Sequence, residues 1–251
     1  MKFFLAPMQG LTGYTVRNAF HHHFDYIDKY YTPFIPAAKR MNAKIKRDID
    51  PVNNDGITLI PQAMSIVADE VINLHRQLVP YGYDEINVNL GCPSGTVVSK
   101  KRGSGILAYP DMLDSFLDEL YTKADFPVSI KTRVGFNDDE LWPRLIEIYS
   151  KYPISELTVH PRVQKDFYKN TPRMDDFALA MQKINPDKTT LCYNGDITDT
   201  NSFNALTDCF PDIDEIMIGR GLSANPALIA ELKGISMDKA ELRERLKNWH
   251  D

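Results

Sequence analysis

The chain has 251 residues, 43% of them hydrophobic and 25% charged, enough for one globular domain whose core needs neither disulfides nor metals. Its 29 Lys+Arg against 34 Asp+Glu give a formal charge of -5, which excludes a globally basic nucleic-acid binder but leaves room for a local basic face. With 10% aromatics the composition is not that of a disordered chain. No apolar run approaches membrane-spanning length, and Pro7 ends the first apolar stretch too early for a signal peptide.

Eight short β-type runs are predicted, at residues 3–6, 26–30, 57–62, 85–89, 128–132, 156–160, 189–194 and 215–218. Most are rich in Val, Ile, Leu or Tyr, as buried parallel strands are. Helices are expected between them at 15–22, 68–79, 110–121, 138–151, 174–183 and 201–207, with fitting starts at Pro110-Asp111 and at the acidic residues 138–140. Residues 33–55 show no clear helix and are expected to loop over the mouth of the domain. The alternation argues for an α/β fold, a (β/α)8 TIM barrel. A doubly wound open sheet is the alternative, weakened because no GxGxxG follows any strand. A charged amphipathic helix is expected at 238–247, with nothing obvious to pack on.

Chemistry in such barrels sits at the C-terminal ends of the strands, and the polar and glycine-rich motifs fall there. The first strand ends in Ala6-Pro7-Met8-Gln9-Gly10, the third in Pro61-Gln62, the fourth in Asn89-Leu90-Gly91-Cys92-Pro93 and the fifth in Lys131-Thr132-Arg133. The last three end in His160-Pro161-Arg162, Asn194-Gly195-Asp196 and Gly219-Arg220-Gly221. Glycine turns after the seventh and eighth strands, with Arg220 beside them, suit a phosphate. Lys131 reads as an anion holder or a Schiff-base nucleophile, and Arg133, two residues on, shares its side of the strand. Cys92, in a tight turn, reads as a nucleophile, a proton donor or a small buried residue.

Cys192 and Cys209 are expected in the core. The three cysteines make no CxxC pair, so neither a disulfide framework nor a zinc ribbon is readable; a reducing, cytoplasmic compartment and no metal are expected. His21-His22-His23 reads as a solvated helix end. Basic residues gather in three expected mouth loops: Lys39, Arg40, Lys44, Lys46 and Arg47; Lys100, Lys101 and Arg102; and Arg162, Lys165, Lys169 and Arg173. Tyr30, Tyr31, Phe34, Phe167 and Tyr168 are interleaved with them, a combination that suggests RNA rather than a metabolite.

In these motifs, above all Asn89-Leu90-Gly91-Cys92-Pro93 followed by residues 100–107, the chain resembles the tRNA-dihydrouridine synthases over nearly its whole length. The Lys131-Thr132-Arg133 segment, His160 with Tyr168 eight residues later, and residues 194–197 support the likeness independently. The resemblance implies an FMN-linked barrel over 1–225 that reduces the C5–C6 double bond of uridines in tRNA. NADPH reduces FMN, the flavin N5 gives hydride to C6, and Cys92 protonates C5. It implies FMN contacts from Pro7, Met8, Gln62, Lys131, His160, Asn194, Gly195, Asp196, Gly219 and Arg220. Substrate contacts are implied for Asn89, Arg133, Arg162 and Tyr168, with Lys100, Lys101 and Arg102 on the RNA rim. Residues 226–251 are then the start of a C-terminal helical tRNA-binding region, most of it missing, and the protein is expected to be a monomer. Other readings of the same residues are an FMN-dependent reductase of a small pyrimidine or enone, a flavin-free barrel using Lys131 as an aldolase lysine, and a silent binder of flavin or RNA.

Overall fold

Ten parallel strand segments are present in a computed structural model that describes residues 1–37 and 40–250. They are β1 (Lys2–Leu5), β2 (Lys29–Tyr31), β3 (Ile35–Pro36), β4 (Leu59–Ile60), β5 (Gln62–Met64), β6 (Ile86–Leu90), β7 (Val128–Gly135), β8 (Glu156–Val163), β9 (Thr190–Tyr193) and β10 (Glu215–Ile218). Hydrogen bonding runs β3-β5-β6-β7-β8-β9-β10-β1-β2-β4. The ends of that series are the two halves of single staves. β4 and β5 are separated only by Pro61, and β2 leads into β3. Tyr31 pairs with Ile60 on one side of the break, and Gln62 pairs with Asn87 on the other, so the ring closes with eight staves. Because the two split staves at the ends of the series pair with each other, every stave has a neighbour on both sides and no edge remains, which excludes the open doubly wound sheet.

Pro61 explains the third stave. It has no N–H to give to a ladder, so the strand predicted over 57–62 is interrupted there. Its carbonyl still accepts the Asn87 N–H at 2.9 Å, and the Gln62 N–H turns to the Thr32 hydroxyl, also at 2.9 Å. The expected long loop over 33–55 is corrected too. It contains β3, the helix α2 (Ala43–Ile49) and a 3-10 turn at Pro51–Asn53. With only seven residues and little apolar periodicity, α2 is held from outside: Asn42 caps the Ile45 N–H at 2.9 Å, Ile49 is buried, and the Tyr83 hydroxyl donates to the Ile49 carbonyl.

Around the staves lie α1 (Tyr14–His23), α3 (Ala68–Leu78), α4 (Gly95–Val98), α5 (Pro110–Lys123), α6 (Trp142–Ser150), α7 (Met174–Lys183), α8 (Thr200–Cys209), α9 (Arg220–Ala224), α10 (Leu228–Leu232) and α11 (Lys239–His250). The reason for α5 is visible in its residues. Pro110 sits at the first turn, Asp111 complements the helix dipole, and Leu113, Phe116, Leu117 and Leu120 make one buried stripe. α6 starts four residues later than expected, after a turn that ends at Leu141. The helix expected to have no packing partner does have one. Leu242, Leu246 and Trp249 of α11 lie against the core, Trp249 meets Phe20 of α1 edge-on at 5.4 Å, and Arg245 donates to the His23 carbonyl.

Side chains alternate in and out along each stave. Inside, Phe4, Ala6, Tyr31, Ile60, Cys192 and Met217 form a small apolar layer separate from the main core under the helices. Below it, the Glu156 carboxylate accepts from Lys29 at 2.7 Å, the Tyr31 hydroxyl at 2.7 Å and Thr158 at 2.8 Å. Above it the lining turns polar, and that end is the mouth. Lys29→Met strands the Glu156 charge in the interior, and urea unfolding is expected to show a loss of about 3 kcal/mol.

Candidate active site

A cavity of about 530 Å³ opens at the C-terminal ends of the staves. It is lined by Pro7, Met8, Gln62, Asn89, Cys92, Lys131, Arg133, His160, Tyr168, Asn194, Gly195, Asp196, Gly219 and Arg220. Residues as far apart in sequence as Pro7 and Arg220 meet because they follow the ends of neighbouring staves.

A chain of buried side chains spans one wall. Asn87 donates to Ser129 Oγ at 3.0 Å, Gln62 Nε2 to Asn87 Oδ1 at 2.8 Å, and Asn89 Nδ2 to Gln62 Oε1 at 2.7 Å. The Asn89 oxygen in turn accepts the N–H groups of Gly91 (3.1 Å) and Cys92 (2.9 Å). The turn that carries the thiol is therefore set by amides reaching back into the barrel. From the other side the Ser104 N–H and hydroxyl both bind the Cys92 carbonyl, at 3.1 and 2.8 Å. Burial pushes the Cys92 thiol above its ordinary pKa, opposed by the Ser94 N–H and by Arg133 and Lys131, so the proton stays on sulfur at neutral pH.

Lys131 projects into the cavity and donates to Asn194 Oδ1 at 2.5 Å, while Asn194 Nδ2 is anchored on the Met217 carbonyl at 2.7 Å. Burial, helped by the Arg133 charge, lowers the Lys131 pKa to about 7. Burial and four neighbouring cations keep His160 well below the usual imidazole value. Arg162 donates to His160 Nε2 at 3.2 Å, which puts the single ring proton on Nδ1. Arg133 binds three carbonyls: Gly91 at 3.0 Å, Val163 at 3.0 Å and Phe167 at 2.8 Å. It thus joins the cysteine turn to the loop after β8.

That loop carries Tyr168, whose ring faces the guanidinium carbons of Arg220 at 4.7 Å and Arg133 at 5.8 Å. Asp196 is shared between Arg162 and Arg220. Burial opposes its ionisation, but the two arginines more than offset this and hold the carboxyl below its usual range. Its side chain therefore positions cations and has nothing to offer an anion. Glycine at 195 is required by packing, since a Cβ there would lie 1.9 Å from the buried Tyr193 hydroxyl. At Gly219 a Cβ would come within 3.4 Å of Ala6 and Met8, narrowing the cavity.

Four expected substrate residues are not in the lining. Arg162 is buried and its guanidinium is spent on Asp196 and the carbonyls of Lys169 and Asn170, which makes it a strut behind the wall. Arg102 pairs with Glu70 at 3.1 Å and so anchors its loop to α3. Lys100 and Lys101 are exposed on that loop, with the Lys101 ammonium over the Tyr109 ring. Of the first basic group, Lys44, Lys46 and Arg47 ride on α2 instead of a loop, and Lys39 lies outside the described residues. Cys192 is buried as expected; Cys209, at the last position of α8, is exposed and not in the core.

Sequence reasoning missed Arg17. It is fully buried and donates to the Thr12 and Asp48 carbonyls and to Asn54, while the Thr12 hydroxyl accepts the Met8 N–H at 2.9 Å. The signal was an arginine on the apolar side of α1. Among the described residues no three His, Cys, Asp or Glu side chains are placed to hold a metal, and no helix is long and apolar enough to cross a membrane.

Lys131 makes stability depend on pH. Between about pH 7 and 10 the unfolded chain, with an ordinary lysine value of 10.5, holds a proton that the folded chain has released. Stability therefore rises with pH across that window. Urea unfolding at pH 7 and pH 9 is expected to show this gain in the wild type and its loss in Lys131→Met.

The family model for "Dihydrouridine synthase (Dus)" matches residues 4–250. The chain is 26% identical over 243 residues to tRNA-dihydrouridine synthase B of Pasteurella multocida (strain Pm70), covering 93% of this chain and 69% of that protein. It is 30% identical over 174 residues to tRNA-dihydrouridine synthase B of Escherichia coli (strain K12), 69% of this chain and 53% of the relative. A probable tRNA-dihydrouridine synthase of Staphylococcus aureus (strain N315) is 33% identical over 154 residues, covering 60% and 46%. These matches span about half to two thirds of the relatives' length. Among solved structures, a variant of NCR from Zymomonas mobilis superposes with a TM-score of 0.63 at 12% identity, covering 99% of this chain and 90% of that one. Morphinone reductase gives 0.62 at 11%, covering 96% and 88%. The barrel, the cavity at its mouth and the match across almost every residue agree: the chain belongs to the dihydrouridine synthase family.

Proposed function

We propose that this protein reduces the C5–C6 double bond of uridine in tRNA, using FMN held in the cavity and NADPH as reductant. The observation that carries the reading is the Cys92 thiol, in a turn fixed by the Asn89–Gln62 amides, at the mouth of a dihydrouridine synthase barrel.

The cavity's residues fit FMN. Lys131 has one protein acceptor and two N–H bonds left for a ligand, and with Gln62 and Asn194 it offers a polar edge for the flavin ring. Pro7 and Met8 supply an apolar surface, and His160 an uncharged one. Gly195, Gly219 and Arg220 would take the phosphate, with Asp196 and Arg162 orienting Arg220 and the turn. When bound, FMN supplies the hydride, drawn from NADPH, that saturates uracil C6.

Cys92 then gives its proton to C5 and recovers one from solvent. A thiol held protonated by burial can do this at neutral pH. Asn89 and Arg133 orient the base within reach of Cys92, and Tyr168 covers it at the cavity entrance. Lys100 and Lys101, exposed beside the Cys92 turn, meet the RNA backbone, while Arg102 keeps their loop in place. The lowered Lys131 pKa would also suit a Schiff-base lysine; borohydride trapping of a carbonyl substrate on Lys131 separates that reading from this one.

Purified protein should show a flavin absorption band that bleaches with anaerobic NADPH and should form dihydrouridine in unmodified tRNA transcripts. A colourless protein that takes up no added FMN sinks the proposal. Cys92→Ala is expected to keep flavin and NADPH oxidation while product formation falls roughly 10²- to 10⁴-fold. In the wild type the rate is expected to stay level through neutral pH and fall only above the ordinary thiol range, as the donor form is lost. Lys100→Ala combined with Lys101→Ala should raise KM for tRNA, shallow its salt dependence by about two counterions and leave NADPH oxidation alone.

A further inference from the structure

Two large apolar side chains stand in water at the mouth without a structural reason for being there. Leu11, in the turn after β1, is 60% exposed, and Phe167, in the loop after β8, is 47% exposed; both line the cavity. The two loops leave staves three apart around the eight-stave ring. Tyr168 is already engaged by two guanidiniums, but the Phe167 ring has no aromatic or cationic neighbour among the described residues.

The turns that carry them are tightly fixed. Leu11 and Thr12 donate to the Met8 carbonyl, and Arg17 anchors the Thr12 carbonyl at 2.8 Å. Phe167 adopts φ 52°, a left-handed conformation that bulky residues rarely take. It is kept there by its N–H on the Gln164 carbonyl (3.0 Å) and by Arg133 on its own carbonyl. Asp166 braces the same loop through Asn170 and Arg173. Strain of this kind persists at sites of use. Lys165 and Lys169, each two residues from Phe167, are exposed and make no ion pair among the described residues, so the loop that presents the apolar ring also presents two cations.

Resting on the function proposed above, we propose that Leu11 and Phe167 form an apolar jaw that takes the unpaired nucleobases flanking the reduced uridine. A uracil that enters the cavity leaves its stack, and its neighbours lose their stacking partner. An aromatic face and an aliphatic wedge replace that contact, while the lysines neutralise the adjoining phosphates.

The test uses Phe167→Gly, which accepts the left-handed backbone freely and so keeps the fold, together with Leu11→Ala and Phe167→Trp. Binding of unmodified tRNA transcripts is followed by anisotropy, and base stacking by the fluorescence of a loop oligonucleotide with 2-aminopurine beside its uridine. Phe167→Gly and Leu11→Ala are each expected to raise Kd about tenfold and to abolish aminopurine quenching. Phe167→Trp is expected to restore both, and NADPH oxidation and the melting temperature should not fall in any variant. An active wild type whose two loss variants bind and quench as it does overturns the jaw alone. A tryptophan that fails to restore binding also overturns it. A wild type that neither binds nor reduces the transcripts overturns the proposed function, and the jaw with it.

Discussion

Three main-chain carbonyls, from Gly91, Val163 and Phe167, converge on the guanidinium of Arg133, and the geometry of the mouth depends on that convergence. One belongs to the turn that presents Cys92, the others to the loop that presents Phe167 and Tyr168. A guanidinium suits the task because its five donors form a rigid fork and because it stays charged even where burial lowers its pKa to about 10. A lysine carries all its donors on one atom and has no fork with which to span the two segments.

The same residue sets the local electrostatics. Lys131, Arg133, Arg162 and Arg220 crowd one end of a chain whose net charge is -5, with Asp196 as the carboxylate directly among them. Burial, with the Arg133 charge added to it, lowers the Lys131 pKa, and burial together with all four cations keeps His160 uncharged. A local surplus of this kind favours an anion even on a protein whose net charge is negative, because the field that matters to a ligand is the local one.

Much of this was legible. Buried apolar runs gave away eight staves, and polar motifs at their ends gave away the cavity, since a charged or amide side chain at the end of an apolar strand has few structural uses. Pro61 inside a predicted strand was a visible warning of the break that followed. α2 was not legible because its stability lies in a cap and in a hydroxyl from Tyr83, not in its own periodicity. Nor could the sequence say which arginines face the ligand. Arg162 and Arg102 read like Arg220, and only their surroundings separate them: Arg162 is buried on the Lys169 and Asn170 carbonyls and Arg102 is held by Glu70, whereas Arg220 stays exposed beside Asp196. The exposure of Cys209 likewise depends on where α8 stops against its neighbours.

The staves that split, β2 with β3 and β4 with β5, are neighbours, and they pair with each other through only two short registers, Tyr30 and Tyr31 with Leu59 and Ile60, and Ile35 and Pro36 with Ala63 and Met64. Two-residue registers also join β1 to β2, β5 to β6 and β9 to β10, whereas β6 and β7 match five residues in a row. A closed barrel is only as cooperative as its weakest ladder. The short registers are where the cylinder yields under thermal fluctuation, so amide protons along them exchange ahead of those in β6 and β7. Gln62 stands on a strand with short registers on both sides, which gives the polar wall of the cavity a compliant side, whereas Cys92 and Arg133 follow the five-residue ladder of β6 and β7.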